Sequence, residues 1–159
     1  MNPDLRIGLG IDRHRFVAGR PLILGGHRIP HDKGLLGHSD GDAILHAAVD
    51  AVLGAAGDDD IGTLFSDRDP ANANADSTRF AAVARERVAA RGFKILSLDA
   101  VVVADEPKIA PHRAAIRAAL ARAFGLAPDR VNVKGKTREG AGPDDLLEAT
   151  VVALLARDA

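Results

Sequence analysis

The sequence predicts an α/β chain of the α+β type, a mixed β-sheet with helices packed on one face. Three observations point there. Runs with strand character alternate along the chain with stretches of helical apolar period, the pattern of helices layered on a sheet. The 159 residues are 47% hydrophobic, enough for one buried core, and a single domain over residues 1–159 is expected. Only 3% are aromatic, so that core rests on Ala, Val, Leu and Ile.

Leu5 to Phe16 reads as a strand, with Gly8 and Gly10 weakening its propensity. Leu22 to Ile29 predicts a short hairpin around Gly25-Gly26, and residues 30–38 predict a loop. A helix follows. Leu45, Ala48, Val49, Val52 and Leu53 make an apolar stripe at helical spacing, while Asp42, His46 and Asp50 recur every four residues on another face. Ser39 can cap this helix, with Asp42 three residues on in the manner of a capping box, and Gly54 and Gly57 end it. The segment 58–74 is acidic and loop-like, broken by Gly62 and Pro70.

A second helix is expected from about Ser77 to Arg91, capped by Asp76 and stopped by Gly92. Ile95 to Ala104 is the clearest strand, and its Val101-Val102-Val103 run implies burial on both faces. Pro111 opens a third helix at its first turn and Gly125 closes it. Arg130 to Thr137 is another strand. Leu146 to Leu155 stays open: Thr150-Val151-Val152 favours a strand, whereas the Leu and Ala content allows a helix.

Composition excludes several function classes. The chain has no cysteine, hence no disulfide, Cys-ligated zinc, iron–sulfur cluster or thiol nucleophile. The 21 basic and 22 acidic residues leave a formal charge of -1, so no global field holds nucleic acid. Trp and Tyr are absent, which removes the usual stacking platforms for single strands. No window approaches the roughly 18 continuous apolar residues of a membrane span. The opening residues lack a basic stretch followed by a long apolar run, and they lack Ser and are poor in Arg. Neither a signal peptide nor a transit peptide is therefore expected, and a soluble, cytoplasmic protein is.

Four constellations could carry chemistry. Asp12 and His14 lie two apart on the first strand and so face one side of it. With His46 from the following helix they would make an open, three-ligand zinc site, and Asp42 or Asp50, one turn either side, could hold the second ring nitrogen of His46. His38 is a poorer third ligand beside His46, because eight residues of helix span about 12 Å. Each piece alone also reads as an ordinary polar contact. Ser39 after His38 could bind phosphate at a helix start or be a plain cap. Lys134-Gly135-Lys136-Thr137-Arg138-Glu139 offers cations and a hydroxyl to phosphate, and a carboxylate to a divalent ion; a solvated basic strand end is the alternative. Glu106-Pro107-Lys108-Ile109 is a rigid binding loop or a Pro-marked turn into a helix.

Taken in order, these pieces resemble the 2-C-methyl-D-erythritol 2,4-cyclodiphosphate synthase family. The resemblance rests on Arg6-Ile7-Gly8-Leu9-Gly10-Ile11-Asp12-Arg13-His14-Arg15-Phe16, on Gly37-His38-Ser39-Asp40-Gly41-Asp42 with His46, and on Asp60-Ile61-Gly62. It continues through Phe65 to Pro70, Glu106 to His112, and Val131 to Lys134 leading to Thr137 and Glu139. It covers nearly the whole chain. It implies an enzyme of non-mevalonate isoprenoid biosynthesis that converts 4-diphosphocytidyl-2-C-methyl-D-erythritol 2-phosphate to the 2,4-cyclodiphosphate plus CMP. The substrate's own 2-phosphate attacks its β-phosphate. It also implies a homotrimer around a sheet-lined core, with active sites between neighbouring subunits.

The resemblance assigns residues as well. Asp12, His14 and His46 become the ligands of one zinc per subunit, with Asp12 and His14 also bordering the substrate. His38 and Ser39 contact substrate, His38 near the reacting phosphates. Asp60, Ile61 and Gly62 meet the methylerythritol portion, and Phe65, Ser66, Asp67, Arg68 and Asp69 form a flexible substrate loop. Ala104, Asp105, Glu106, Pro107, Lys108, Ile109 and Ala110 cradle the cytosine. Lys136, Thr137, Arg138 and Glu139 face the phosphates, with Thr137 a transition-state contact and Glu139 a ligand for magnesium or manganese. The chain departs from the family pattern at Ser66, where Pro is usual, and at Arg68, where Thr is usual. After Glu139, the segment Gly140-Ala141-Gly142-Pro143-Asp144-Asp145 is shorter than usual and lacks an Arg of the family pattern, which leaves open both a phosphate contact in the active site and the prenyl-diphosphate pocket that other members carry on the trimer axis.

The chemistry is consistent with that implied activity, because an intramolecular phosphate attack needs no protein nucleophile, only charge neutralisation and in-line placement. Two other functions use the same residues differently. A zinc-dependent phosphohydrolase would activate water on the same ligands, and a trimeric binding or scaffold protein would keep the fold without turnover. No nucleic-acid or membrane partner is expected.

Overall fold

The structure is a computed structural model and describes residues 4–157. Its strands are β1 (Asp4–Ala18), β2 (Leu22–Leu24), β3 (His27–Ile29), β4 (Lys33–Leu35), β5 (Lys94–Val103), β6 (Val131–Lys136) and β7 (Leu146–Arg157). Its helices are α1 (Ala43–Ala55), α2 (Ile61–Leu64), α3 (Thr78–Ala90) and α4 (Arg113–Phe124). Five strands form one sheet in the order β4-β1-β7-β5-β6, and β2 pairs with β3 in a separate hairpin. Among the described residues of this sheet only the β5–β6 pair is parallel; β1 runs antiparallel to β4 and β7, and β7 antiparallel to β5. The sheet is therefore mixed, as expected.

One face of this sheet is buried by the helices. Gly8, Gly10, Leu98, Ala100, Val102, Val131, Val133, Leu147, Ala149, Val151, Ala153 and Leu155 line it and are buried. Their strand partners match in register: Gly8 with Ala153, Gly10 with Val151, and Ala100 with both Val151 and Val133. The other face carries Leu5, Ile7, Leu9, Ile11 and Val152, all exposed. Val101 and Val103 are only half-buried. The expected burial of β5 on both faces is not met within one chain, because no helix crosses to that side.

Several boundaries move. Residues 30–38 contain β4, a three-residue strand paired with the end of β1. Residues 58–74 contain α2 and a short 3₁₀ turn, Pro70–Asn72. Pro111 sits in a 3₁₀ turn (Ala110–His112) ahead of α4, which ends at Gly125 in the left-handed conformation. Gly54 lies inside α1 rather than at its end. Residues 146–157 are strand. Placement between β1 and β5 gives β7 hydrogen-bonding partners on both edges, and alternate residues from Leu147 to Leu155 turn into the core.

The cap of α1 is Asp42, not Ser39. Gly41 turns the chain at φ +74° between them, so Ser39 is directed away from the helix start. The Asp42 carboxylate is fully buried and accepts from Leu45 N at 3.0 Å, Gly25 N at 2.7 Å and Gly26 N at 2.6 Å. It caps the helix and ties it to the β2–β3 turn at once. At α3, Ser77 occupies the cap position, while the Asp76 carboxylate accepts from Thr78 N at 2.9 Å.

Helix α1 lies against β1 with backbone touching backbone. A Cβ at Gly8 would meet Ala51 O at 1.9 Å, and one at Gly10 would meet Ala47 O at 1.9 Å. The two glycines that weaken the strand by propensity are there because the helix leaves no room for a side chain. A Cβ at Gly54 meets nothing within 4 Å. Gly10→Ala is therefore expected to destabilise the protein by about 3 kcal/mol or more, because the obstructing atom is helix backbone. Gly54→Ala is expected to stabilise it by about 0.5–1 kcal/mol. Denaturant unfolding of the two variants checks both signs.

Candidate metal centre and substrate cleft

The contact between α1 and β1 sets the site. Along β1, Gly8 and Gly10 face Ala51 and Ala47. Two strand residues advance about 6.6 Å and four helix residues about 6 Å, so the elements stay nearly in step. Carried two residues further, the strand reaches Asp12 as the helix reaches its first turns, where His46 stands. Asp12 and His14 share the parity of Gly8 and Gly10 and so point to the same side.

The three side chains meet on one atom. Asp12 Oδ2 lies 2.6 Å from His14 Nε2 and 3.0 Å from His46 Nδ1. One donor atom from each lies within 4.8 Å of the others. The rings of His14 and His46 stand edge to face with centroids 5.5 Å apart. Among the described residues this is the only cluster of at least three His, Cys, Asp or Glu side chains close enough to share an ion. His14 Nδ1 donates to the Leu36 carbonyl at 2.6 Å, which leaves Nε2 as the ligand atom. Two imidazoles and one carboxylate, each half-buried, fit a borderline divalent ion with room for a further ligand.

The electrostatics of the cluster are those of a site short of positive charge. Burial would raise the Asp12 carboxyl, but hydrogen bonds and charge from His14 and His46 outweigh it and hold the group at about 2. Burial opposes protonation of His14, and the Asp12 carboxylate outweighs that and raises it above its ordinary value.

Around the cluster lies a cavity of about 440 Å³. His38 and Ser39, from the loop before α1, line it, as do Ile61, Gly62, Phe65 and Asp67. Arg20 holds that loop through its carbonyl oxygens, donating to Gly37 O at 2.6 Å and to Ser39 O. The second ring nitrogen of His46 meets Ser77 Oγ at 2.8 Å and Ser39 Oγ at 3.1 Å. Neither Asp42 nor Asp50 takes that nitrogen. Asp42 is committed to the α1 cap, and Asp50 accepts from Ile61 N at 2.8 Å, fastening α2 to α1. Asp60 caps α2 by accepting from Thr63 N at 2.8 Å. Ser66 and Asp69 brace their own loop: Arg68 N donates to Ser66 Oγ at 3.2 Å, and Ala71 N to Asp69 at 2.9 Å.

Sequence reasoning missed Asn72 and Phe80, which also line the cavity, and it missed Ser77 and Arg20. Phe80 stacks on Phe65 at 4.4 Å and flanks His46 at 6.2 Å. Nothing in residue spacing links Ser77 to His46, 31 positions away.

The remaining predicted residues form a second place in the chain. Ala104, Lys108, Ile109, Ala110, Lys136 and Thr137 line a cavity of about 110 Å³ where parallel β5 and β6 end. Ala104 N donates to Lys136 O at 3.0 Å, closing that end of the sheet. The Glu106–Pro107 bond is cis. Lys108 Nζ donates to Asp105 O at 2.9 Å, and Asp105 Oδ1 accepts from Arg138 N at 3.0 Å. Thr137 donates its hydroxyl hydrogen to Glu139, which adopts φ +53°. Glu139 is not part of the three-residue cluster around Asp12.

Comparison with known proteins agrees with this geometry. The YgbB family matches residues 5–156. A 2-C-methyl-D-erythritol 2,4-cyclodiphosphate synthase of Bordetella avium is 51% identical, with all of both chains covered. A solved 2C-methyl-D-erythritol-2,4-cyclodiphosphate synthase in a CDP-bound form superposes with TM-score 0.88 at 46% identity, over 94% of this chain and 99% of that one. The bifunctional IspDF of Campylobacter jejuni superposes with TM-score 0.94 at 34% identity; this chain is covered to 99% and spans 43% of that protein. The strand pair of Asp12 and His14, the helix that brings His46 to them, and a match running from one end of the fold to the other lead to one conclusion: the chain belongs to the YgbB family, with 2-C-methyl-D-erythritol 2,4-cyclodiphosphate synthases as its relatives.

Proposed function

We propose that the chain is a 2-C-methyl-D-erythritol 2,4-cyclodiphosphate synthase. It takes 4-diphosphocytidyl-2-C-methyl-D-erythritol 2-phosphate, joins the 2-phosphate to the β-phosphate, and releases CMP. The observation that carries this reading is the convergence of His14 and His46 on Asp12 Oδ2 in a cavity of about 440 Å³, in a chain of this family. Asp12, His14 and His46 would hold zinc, which supplies polarisation of the phosphoryl group under attack.

The chain's own residues place the reactants. His38 and Ser39 stand at the cavity wall and would bind phosphate oxygens. Asp60, Ile61 and Gly62 at the start of α2 would hold the methylerythritol portion, with Phe65, Ser66, Asp67, Arg68 and Asp69 closing over it. Ala104 to Ala110 would cradle cytosine. Lys136, Thr137, Arg138 and Glu139 would face the diphosphate, Thr137 touching the transferring group and Glu139 serving magnesium or manganese. Both reacting phosphates belong to one molecule, so catalysis reduces to holding them in line while neutralising their charge.

The two cavities have separate linings. The proposed assembly is a homotrimer that closes the apolar face of Leu5, Ile7, Leu9 and Ile11 around a sheet-lined axis. It would also set one subunit's metal cavity against the cytosine cavity of its neighbour.

The direct test is incubation of the protein with the diphosphocytidyl substrate and a divalent ion, followed by phosphorus NMR. CMP and the cyclic diphosphate are expected. An acyclic phosphate product would mean hydrolysis instead and would overturn the reading. His46→Ala is expected to lose zinc and CMP release while keeping the native mass of the parent; full activity in a zinc-free His46→Ala protein would equally overturn it.

Metal affinity should depend on pH through the ligands themselves. His14 is raised by Asp12, so its proton competes with the ion. Zinc affinity is expected to climb steeply as pH rises through and above about 6.5. In metal-free protein the sign reverses. The raised His14 contributes stability that is full below its unfolded value and is lost as pH rises through the folded one. The depressed Asp12 contributes stability above its ordinary carboxylate value that is lost as pH falls toward about 2. Chelator competition across pH 5 to 9 measures the zinc trend, and thermal unfolding of the metal-free protein from about pH 2 to 9 measures the two stability trends.

A further inference from the structure

His46 faces the metal cluster with Nδ1 and two serine hydroxyls with Nε2: Ser77 Oγ at 2.8 Å and Ser39 Oγ at 3.1 Å. A hydroxyl can donate or accept, so these contacts alone leave open which ring nitrogen carries hydrogen. Asp40 closes the question. Its Oδ1 accepts the Ser77 hydroxyl hydrogen, and its Oδ2 accepts Ser77 N–H at 2.9 Å. An ionised carboxylate only accepts. The Ser77 hydrogen is therefore spent on Asp40, and Ser77 Oγ can only accept from His46. Nε2 then carries hydrogen whatever the state of the cluster, and Nδ1, which donates to Asp12 Oδ2 at 3.0 Å while no cation is bound, is the nitrogen whose lone pair a cation would take.

Ser77 has no other employment for its hydroxyl. It occupies the cap position of α3, yet its side chain makes no capping bond to that helix. It is fully buried, so water does not compete for the contact. Asp40 is fixed in turn: Asp42 N donates to its Oδ1 at 3.1 Å, and Asp40 N donates to Ala75 O at 3.1 Å. The other hydroxyl is loosely held. The bond that Ser39 Oγ accepts from Gly41 N is 3.5 Å long.

We propose that Asp40 and Ser77 are positioning residues for the metal centre, a carboxylate–hydroxyl–imidazole relay that fixes the tautomer and tilt of His46. Ser39, 3.1 Å from the same nitrogen, lacks such a carboxylate anchor and stays available to face substrate. This rests on the metal reading of the preceding section. Outer partners of this kind change metal affinity about 10- to 100-fold when removed.

The test compares full-length parent, Ser77→Ala and Ser39→Ala by competition for Zn²⁺ against a chromophoric chelator. Ser77→Ala is expected to weaken zinc about 10- to 100-fold, and Ser39→Ala to match the parent. Metal-stripped Ser77→Ala should unfold somewhat below the parent's temperature, since its buried bonds to Asp40 and His46 are lost, while the extra stability conferred by zinc shrinks on top of that loss. Ser77→Thr, which keeps the hydroxyl, should restore affinity. If Ser77→Ala does not fold, the isosteric Ser77→Cys takes its place, with weakened zinc again expected. Parent-like affinity in the folded Ser77 variant, or loss in Ser39→Ala instead, overturns the relay. A parent protein that retains no zinc overturns the metal reading itself, a result distinct from an unchanged variant.

Discussion

Two glycines on β1 let a helix carbonyl sit where a strand side chain would be. At Gly8 and Gly10 the backbone of α1 comes so near that a Cβ would lie 1.9 Å from Ala51 O and Ala47 O. The small residues Ala47, Ala51 and Ala55 on the facing side of α1 allow the approach, and all are buried. This contact fixes the height and the axial position of α1 over the sheet. The metal cluster inherits both. Asp12 and His14 continue the glycine row of β1, and His46 is the residue before Ala47. A helix held further out by ordinary strand side chains would leave the imidazole of His46 short of Asp12.

The loops around the cluster are held by aspartates, each with a different attachment. Asp42 joins the α1 start to the β2–β3 turn, Asp50 joins α1 to α2, and Asp40 joins the loop before α1 to α3. Each accepts backbone N–H groups that would otherwise lack partners. These attachments place three separate segments around one cavity without a long stretch of regular structure among them. Arg20 adds a cationic clamp on the carbonyls of Gly37 and Ser39. The result is a polar pocket whose walls are set from the backbone while its ligand atoms stay available.

The free face of the sheet is the counterpart of this packing. Ile7 is 73% exposed and Leu9 60% exposed, on a strand whose other face is in van der Waals contact with a helix. An apolar row of this kind marks an interaction surface more often than a solvated one. In the proposed assembly the same strand serves two purposes. Its odd-numbered residues join subunits, and its even-numbered residues build the metal cluster. The strand's period of two keeps those tasks on opposite sides. The cavity at the end of β5 and β6, proposed above to hold cytosine, belongs to the same chain but to another part of its surface, so a single copy holds both halves of the proposed site without joining them.

Much of this was legible in the order of residues. The alternation of apolar periods predicts the sheet and helices. The pair Asp12 and His14 is readable from strand parity, and His46 from its place on the next helix. The cap of α1 reads as Ser39 along the chain and proves to be Asp42, because a capping-box spacing cannot show that Gly41 turns the chain between them. Residues 146–155 stayed ambiguous, because their Leu, Ala and Val content suits either period until two neighbouring strands bond to both edges. Gly8 and Gly10 look like defects along the chain and become requirements once α1 is laid on them. Ser77 was invisible, since nothing local distinguishes a serine that caps a helix from one whose hydroxyl is turned toward an imidazole 31 residues away. Local chemistry and period are written along the chain, whereas hydrogen-bond partners between distant segments exist only after packing has brought those segments together.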